Sequence, residues 1–235
     1  MCKRAIILAG GRGTRLRPYT IVLPKPLVPI GEKPILEIII TQLISNGFEH
    51  ITITINYLAD IIKAFFGDGS KWGIKIDYSL EEKPLSTMGP LSLLTDLPEN
   101  FLIMNGDVFS DVDFGKLYDL HISKKSLFTI SSYVRKQKTD YGVLEIDLNN
   151  NLSGFKEKPV EQYDVSMGIY MANRKILSYI PYNEFYGFDS LMLDLIKNNN
   201  LPFVRRHDGY WFDIGRPDDY EAACNNADKI LCDKL

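Results

Sequence analysis

Ala5-Ile6-Ile7-Leu8-Ala9-Gly10-Gly11-Arg12-Gly13-Thr14-Arg15-Leu16-Arg17-Pro18 reads as a buried strand that runs into a glycine turn. The apolar run Ala5-Ile6-Ile7-Leu8, bounded by glycine, has the length and composition of a strand covered on both faces. Gly10, Gly11 and Gly13 free the backbone to turn sharply and to approach a ligand without Cβ obstruction. Arg12, Arg15 and Arg17 follow at once, and Lys25 comes shortly after in Leu23-Pro24-Lys25-Pro26-Leu27. Exposed backbone N–H groups beside several cations are what a polyphosphate requires. Two common phosphate patterns are excluded. A G-x-G-x-x-G motif beginning at Gly11 fails at Leu16, and no Gly-Lys-Ser/Thr completes a P-loop.

Outward from this turn, strand and helix signals alternate. Pro34-Ile35-Leu36-Glu37 predicts a helix to Asn46, stopped by Gly47. Ile51–Ile55 alternates Ile and Thr as a strand; Leu58–Phe66 predicts a short helix ended by Gly67; Ile74–Tyr78 is another strand. Thr87–Leu94 reads as helical, and Phe101–Met104, wholly apolar, as a central strand. This order predicts an α/β protein with a doubly wound, mostly parallel sheet. The second half adds mixed β elements at 127–134, 142–146, 152–155 and 167–171, helices at 173–178 and 190–197, and a last helix from Pro217 to Leu231 with Ala222, Ala223, Ala227 and Ile230 along one side.

Ligands in such sheets bind beyond the carboxyl ends of strands. Asn105-Gly106-Asp107 lies at one such end, and Tyr210-Trp211-Phe212-Asp213-Ile214-Gly215 ends a second apolar run in an aspartate. Two carboxylates there suit a divalent cation that takes its remaining ligands from phosphate oxygens. Asp111-Val112-Asp113 resembles a D-x-D metal motif, but the helical pattern from Phe114 makes Asp113 an N-cap. Lys158, in Glu157-Lys158-Pro159, projects from extended backbone toward a second phosphate. His50, His121 and His207 share no motif, and nothing resembles a nucleophilic triad.

With 235 residues, 45% hydrophobic and 24% charged, the chain suits a single domain spanning 1–235. A net charge of −3 lacks the basic footprint of a nucleic-acid binder, and no apolar run is long enough for a membrane span. Cys2, Cys224 and Cys232 fit neither a metal spacing nor an even disulfide set, so a reducing cytoplasm is expected.

Leu8–Leu16, Pro24-Lys25-Pro26, Pro84-Leu85-Ser86-Thr87-Met88-Gly89-Pro90, Asn105-Gly106-Asp107, Tyr141-Gly142, Glu157-Lys158-Pro159 and Trp211–Gly215 stand in the order found in the sugar-1-phosphate nucleotidylyltransferases (nucleotide-sugar pyrophosphorylases), and the chain resembles that family from about residue 4 to 221. The resemblance implies a Rossmann-like fold of the nucleotide-diphospho-sugar transferase type. It also implies a reaction in which an NTP and a sugar 1-phosphate give an NDP-sugar and pyrophosphate with Mg²⁺. Matching motif to motif, Arg15 holds the leaving β- and γ-phosphates, and Lys25 the α-phosphate and the attacking phosphate. Leu8, Ala9, Gly10, Gly11, Gly13, Thr14, Glu81 and Ser86 contact the nucleotide. Asp107 and Asp213 ligate the metal. Asn105, Gly142, Glu157, Lys158 and Ser166 attend the sugar phosphate. Ser86-Thr87-Met88-Gly89 departs from the family's Gly-Thr-Ala-Gly, and Ser166-Met167-Gly168 from its Asn-Ala-Gly. No C-terminal β-helix is expected after the core.

Glu81 stands where thymidylyl enzymes tend to carry Gln, and Glu81-Glu82-Lys83-Pro84-Leu85 resembles mannose-1-phosphate guanylyltransferases. One carboxylate accepts from both N1–H and N2–H₂ of guanine, so GTP is the favoured nucleotide, ahead of UTP, dTTP or CTP. A metal-dependent glycosyltransferase and a non-catalytic nucleotide sensor are the readings from other classes. Assembly is left open between monomer and homodimer.

Overall fold

The structure, a computed structural model, describes residues 2–11 and 13–227. Arg12, Cys232 and the end of the expected last helix, including Ile230, lie outside the described residues. Seven strands form the central sheet, in the order Phe203–His207, Phe128–Lys138, Val160–Asn173, Asn100–Asn105, Lys3–Leu8, Phe48–Ile55, Lys75–Leu80. Four of the six pairings are parallel; Val160–Asn173 runs antiparallel to both of its neighbours. The sheet is thus mostly parallel with a mixed second half, and Asn100–Asn105 sits at its centre.

The apolar strands are buried on both faces because successive side chains point to opposite sides. Ala5, Ile7, Leu102, Met104, Ile169 and Met171 enter one core, with the helices Ile35–Ser45, Ala59–Phe66 and Phe114–Lys124. Ile6, Phe101, Ile103, Tyr170 and Ala172 enter the other, with Leu191 and Leu195 of the helix Phe188–Lys197. In Phe48–Ile55 the isoleucines fill the first core, and Thr52 on the opposite face accepts from buried Arg4 at 2.9 and 2.7 Å.

Several elements differ from the sequence pattern. The expected helix over 87–94 is only a 3₁₀ turn, Gly89–Leu93: Pro90 supplies no N–H, and the N–H groups of Met88 and Gly89 both go to the Tyr186 carbonyl at 3.0 and 2.9 Å. The strand expected at 167–171 extends from Val160 to Asn173. Its first half, Val160-Glu161-Gln162-Tyr163-Asp164, has no apolar run and pairs only with Phe128–Lys138. Phe203–His207, carrying Arg205 and Arg206, is a sheet edge with too little apolar content to signal itself.

Candidate active site

The glycine loop and Asn105-Gly106-Asp107 leave the carboxyl ends of adjacent strands, tied by the Gly106 N–H bond to the Leu8 carbonyl at 2.9 Å. Between them opens a cavity of about 670 Å³, within the usual range for small-molecule sites. It brings together Leu8, Ala9, Gly10, Gly11, Gly13, Thr14, Arg15, Lys25, Glu81, Ser86, Asn105 and Asp107, drawn from segments far apart in the chain.

A short antiparallel ladder, Val108–Ser110 with Trp211–Asp213, pairs Asp213 with Val108, and the Ile214 N–H reaches the Asp107 carbonyl at 2.9 Å. The two aspartates expected to act together therefore stand side by side. Lys25, whose side chain is 12% exposed, donates from Nζ to Asp107 Oδ2 and lies 4.0 Å from Asp213 Oδ1; Arg15 is 3.8 Å from Asp213 Oδ2. Burial pulls the Lys25 ammonium down to about 8; the Asp213 carboxylate opposes this and the Arg15 charge adds to it.

These carboxylates converge on one cation, which fits a Mg²⁺ site completed by substrate oxygens. Among the described residues no three His, Cys, Asp or Glu side chains gather as a metal cage, so protein ligands alone would not complete the shell.

Glu81 is buried at 7% exposure, and desolvation raises its carboxyl above the ordinary value while the Leu85 amide opposes the shift. It is no solvated loop charge. Its Oε1 packs against the glycine loop so closely that a Cβ on Gly10 would lie 2.7 Å away. The segment 84–88, which continues the wall from Glu81, is held by a clamp: the Tyr186 N–H bonds the Leu85 carbonyl at 3.0 Å, and Phe188 N–H bonds Thr87 Oγ1 at 2.8 Å. That clamp also brings Phe185 to the cavity, a residue with no motif to mark it.

Of the expected sugar-side residues, Asn105 lines this cavity, whereas Gly142, Glu157, Lys158 and Ser166 do not. Gly142 and Glu157 lie together, with Glu157 Oε2 3.3 Å from a Cβ built on Gly142, and both Glu157 and Lys158 are exposed. Ser166 is engaged elsewhere: its Oγ is 2.9 Å from the Tyr170 hydroxyl and accepts from Gly168 N–H at 3.3 Å. Gly168, at φ 72°, presses on Asn105; a Cβ there would stand 2.5 Å from Asn105 Nδ2.

Asp113 is the N-cap of Phe114–Lys124, accepting from Lys116 N–H at 2.8 Å. Asp111 accepts from Tyr210 N–H and pairs with His207 Nε2, both at 2.8 Å. The D-x-D pair thus does structural work, and the glycosyltransferase reading loses the motif on which it stood.

Residues 4–229 match the family described as nucleotidyl transferase. A D-glycero-alpha-D-manno-heptose 1-phosphate guanylyltransferase from Aneurinibacillus thermoaerophilus is 35% identical over 224 residues, covering 93% of this chain and 96% of the relative. A UTP–glucose-1-phosphate uridylyltransferase from Synechocystis is 32% identical over 237 residues; the match covers 92% of this chain but 61% of that one, so the chain spans about three fifths of this relative's length. A crystal structure of HddC from Yersinia pseudotuberculosis is 27% identical with a TM-score of 0.75, covering 96% of this chain and 99% of that one. The homologues are sugar-1-phosphate nucleotidyltransferases. A match running from residue 4 to residue 229, and relatives above 30% identity along nearly the whole chain, place this protein in the nucleotidyl transferase family.

Proposed function

We propose that this chain joins an NTP, preferably GTP, to a sugar 1-phosphate, releasing pyrophosphate. The observation that carries the reading is the largely buried Lys25 side chain held between Asp107 and Asp213 at the mouth of a cavity walled by the glycine loop. An oxygen of the sugar phosphate attacks the α-phosphorus in line. A new P–O–P bond forms, the bond from the α-phosphorus to its bridging oxygen breaks, and the electron pair leaves on pyrophosphate. No side chain becomes covalently attached, so the protein's part is positioning and neutralisation of charge.

Lys25 places an ammonium against the α-phosphate and the incoming phosphate. Arg15 neutralises the departing pyrophosphate. Asp107 and Asp213 would hold Mg²⁺, which supplies Lewis-acid stabilisation of phosphate oxygens when bound. Glu157 and Lys158 serve the sugar and its phosphate; the missing side chain of Gly142 makes room for the Phe155 ring, which a Cβ there would meet at 2.6 Å, and not for the sugar. Burial of the Glu81 carboxylate beside Gly10 supports guanine, whose paired N1–H and N2–H₂ donors one carboxylate accepts together. The Aneurinibacillus relative is named a guanylyltransferase, in agreement with that choice, and the Synechocystis relative, named a uridylyltransferase, marks the competing nucleotide.

The test is a matrix of GTP, UTP, dTTP, CTP and ATP against a panel of hexose and heptose 1-phosphates with Mg²⁺, reading pyrophosphate and the NDP-sugar by mass. The expected result is turnover confined to one class of sugar phosphate with GTP preferred. Preference for a pyrimidine nucleotide would overturn the guanine assignment. Unaltered NTP across a broad panel would overturn the activity.

A further inference from the structure

The proposed mechanism leaves one part-buried ion pair unused. Asp219, in the first turn of the helix Pro217–Asn225, is 8% exposed. Its Oδ2 accepts the backbone N–H of Asp213 at 2.9 Å, and both of its oxygens take the guanidinium fork of Arg135, Nη1 to Oδ1 at 3.0 Å and Nη2 to Oδ2. The guanidinium carbon of Arg135 stands 4.6 Å from the centre of the Trp211 ring, two residues before Asp213. Trp211 is itself pinned, its Nε1–H donating to the Met167 carbonyl at 3.0 Å.

Arg135 belongs to the strand Phe128–Lys138, which pairs with Val160–Asn173 at Tyr163. Just beyond that strand, Thr139 N–H bonds the Pro159 carbonyl at 3.0 Å, next to Glu157-Lys158. The ion pair thus joins the ribbon carrying the expected sugar-side residues to the short strand carrying Asp213. A helix-start aspartate needs no such partner: its common task is to face the N-terminal N–H groups of its own helix. Asp219 instead reaches back to the main chain of Asp213.

We infer that Asp219 and Arg135 are positioning residues that fix the carboxylate of Asp213 for a divalent cation. The inference rests on the metal role proposed for Asp213. Such supporting contacts to a ligand typically alter metal affinity by about 10- to 100-fold when removed. Asp219 supplies the acceptor that fixes the Asp213 backbone, and Arg135 holds that acceptor in a fork that lysine cannot reproduce.

Mn²⁺ serves as the probe, its binding followed by electron paramagnetic resonance with the full chain and a non-hydrolysable GTP analogue. NTP affinity in EDTA and thermal unfolding are measured on the same samples. Asp219→Ala and Arg135→Ala are expected to weaken Mn²⁺ binding about tenfold or more while leaving nucleotide affinity in EDTA within about twofold. Asp219→Asn, which keeps an acceptor, and Arg135→Lys, which keeps the charge, are expected to fall between these and the wild type. Arg135 is partly exposed, so its variants remain informative if Asp219→Ala fails to fold. Lower melting temperatures with unchanged Mn²⁺ affinity in the folded variants would overturn the inference and leave the pair a structural brace. Absence of Mn²⁺ binding by the wild type would overturn it together with the metal assignment, whereas Mn²⁺ binding with no turnover of any NTP–sugar phosphate pair would overturn the proposed activity alone.

Discussion

Replacing Glu81 with glutamine conserves shape and removes one charge from a carboxyl that is 7% exposed and lies against Gly10. The carboxylate offers acceptors to both guanine donors. The amide offers one acceptor and turns an NH₂ toward the other donor. At least one charge-assisted bond is lost, about 1.5–3 kcal/mol, so kcat/KM for GTP should fall about 10- to 100-fold. UTP and dTTP, which present a donor beside an acceptor, should lose little or gain. The assay is kcat/KM for each nucleotide at saturating sugar phosphate, from pyrophosphate release. A stability readout accompanies it. Burial raises the Glu81 carboxyl above its ordinary 4.5, so the folded state holds this proton more tightly than the unfolded state. The stability this contributes is present below pH 4.5 and lost as pH rises through the folded value. Glu81→Gln should therefore melt higher than wild type at pH 7, with the difference fading toward pH 4.5. Equal losses for GTP and UTP would refute the recognition argument, and a lower melting temperature at pH 7 would refute the burial argument.

Lys25→Ala should lower kcat about 100-fold or more with a smaller effect on NTP affinity, since its charge is placed for the transition state; a change confined to affinity would remove it from that role. Asp107→Asn should lower turnover about 100-fold or more and shift the Mg²⁺ dependence, and a wild-type Mg²⁺ titration would exclude it as a ligand. Gly168→Ala puts a side chain at φ 72° and 2.5 Å from Asn105 Nδ2; the backbone cost of about 1–2 kcal/mol corresponds to a fall of about 2–8 °C in Tm, read by calorimetry. Arg4→Ala removes both bonds to Thr52 from a buried site and should cost about 2–4 kcal/mol in urea unfolding, with kcat per folded molecule unchanged.

Apart from the 87–94 segment, the first half of the fold was legible because its strands are apolar or alternate regularly and its helices are punctuated by proline and glycine. Phe101–Met104 could only be a central strand, and it is. The second half was less legible for the same physical reason reversed. Val160–Asp164 gains its strand from pairing, since its alternation of charge and aromatic gives no hydrophobic signal, and the bulge around Gly168 interrupts the register. The lining of the cavity beside the glycine loop was legible almost residue by residue, since glycines and clustered cations mark themselves in a sequence. Asp219 and Arg135 were not, because a helix-start aspartate and a strand arginine are ordinary residues until the fold brings them to Asp213. Phe185 shows the same limit, for only the hydrogen bonds between 85–88 and 186–188 carry it to the cavity.

The contact between Gly10 and Glu81 has a consequence for redesign. The absence of a side chain in the loop is what leaves space for a carboxylate to stand at that wall, so positions 10 and 81 form one steric unit, and on the proposed function nucleotide preference belongs to the pair. A bulkier side chain at position 81 would press on the glycine loop, and any residue larger than glycine at position 10 would push Glu81 aside. Libraries aimed at a new nucleotide should vary the two together, keeping glycine wherever position 81 remains as large as glutamate.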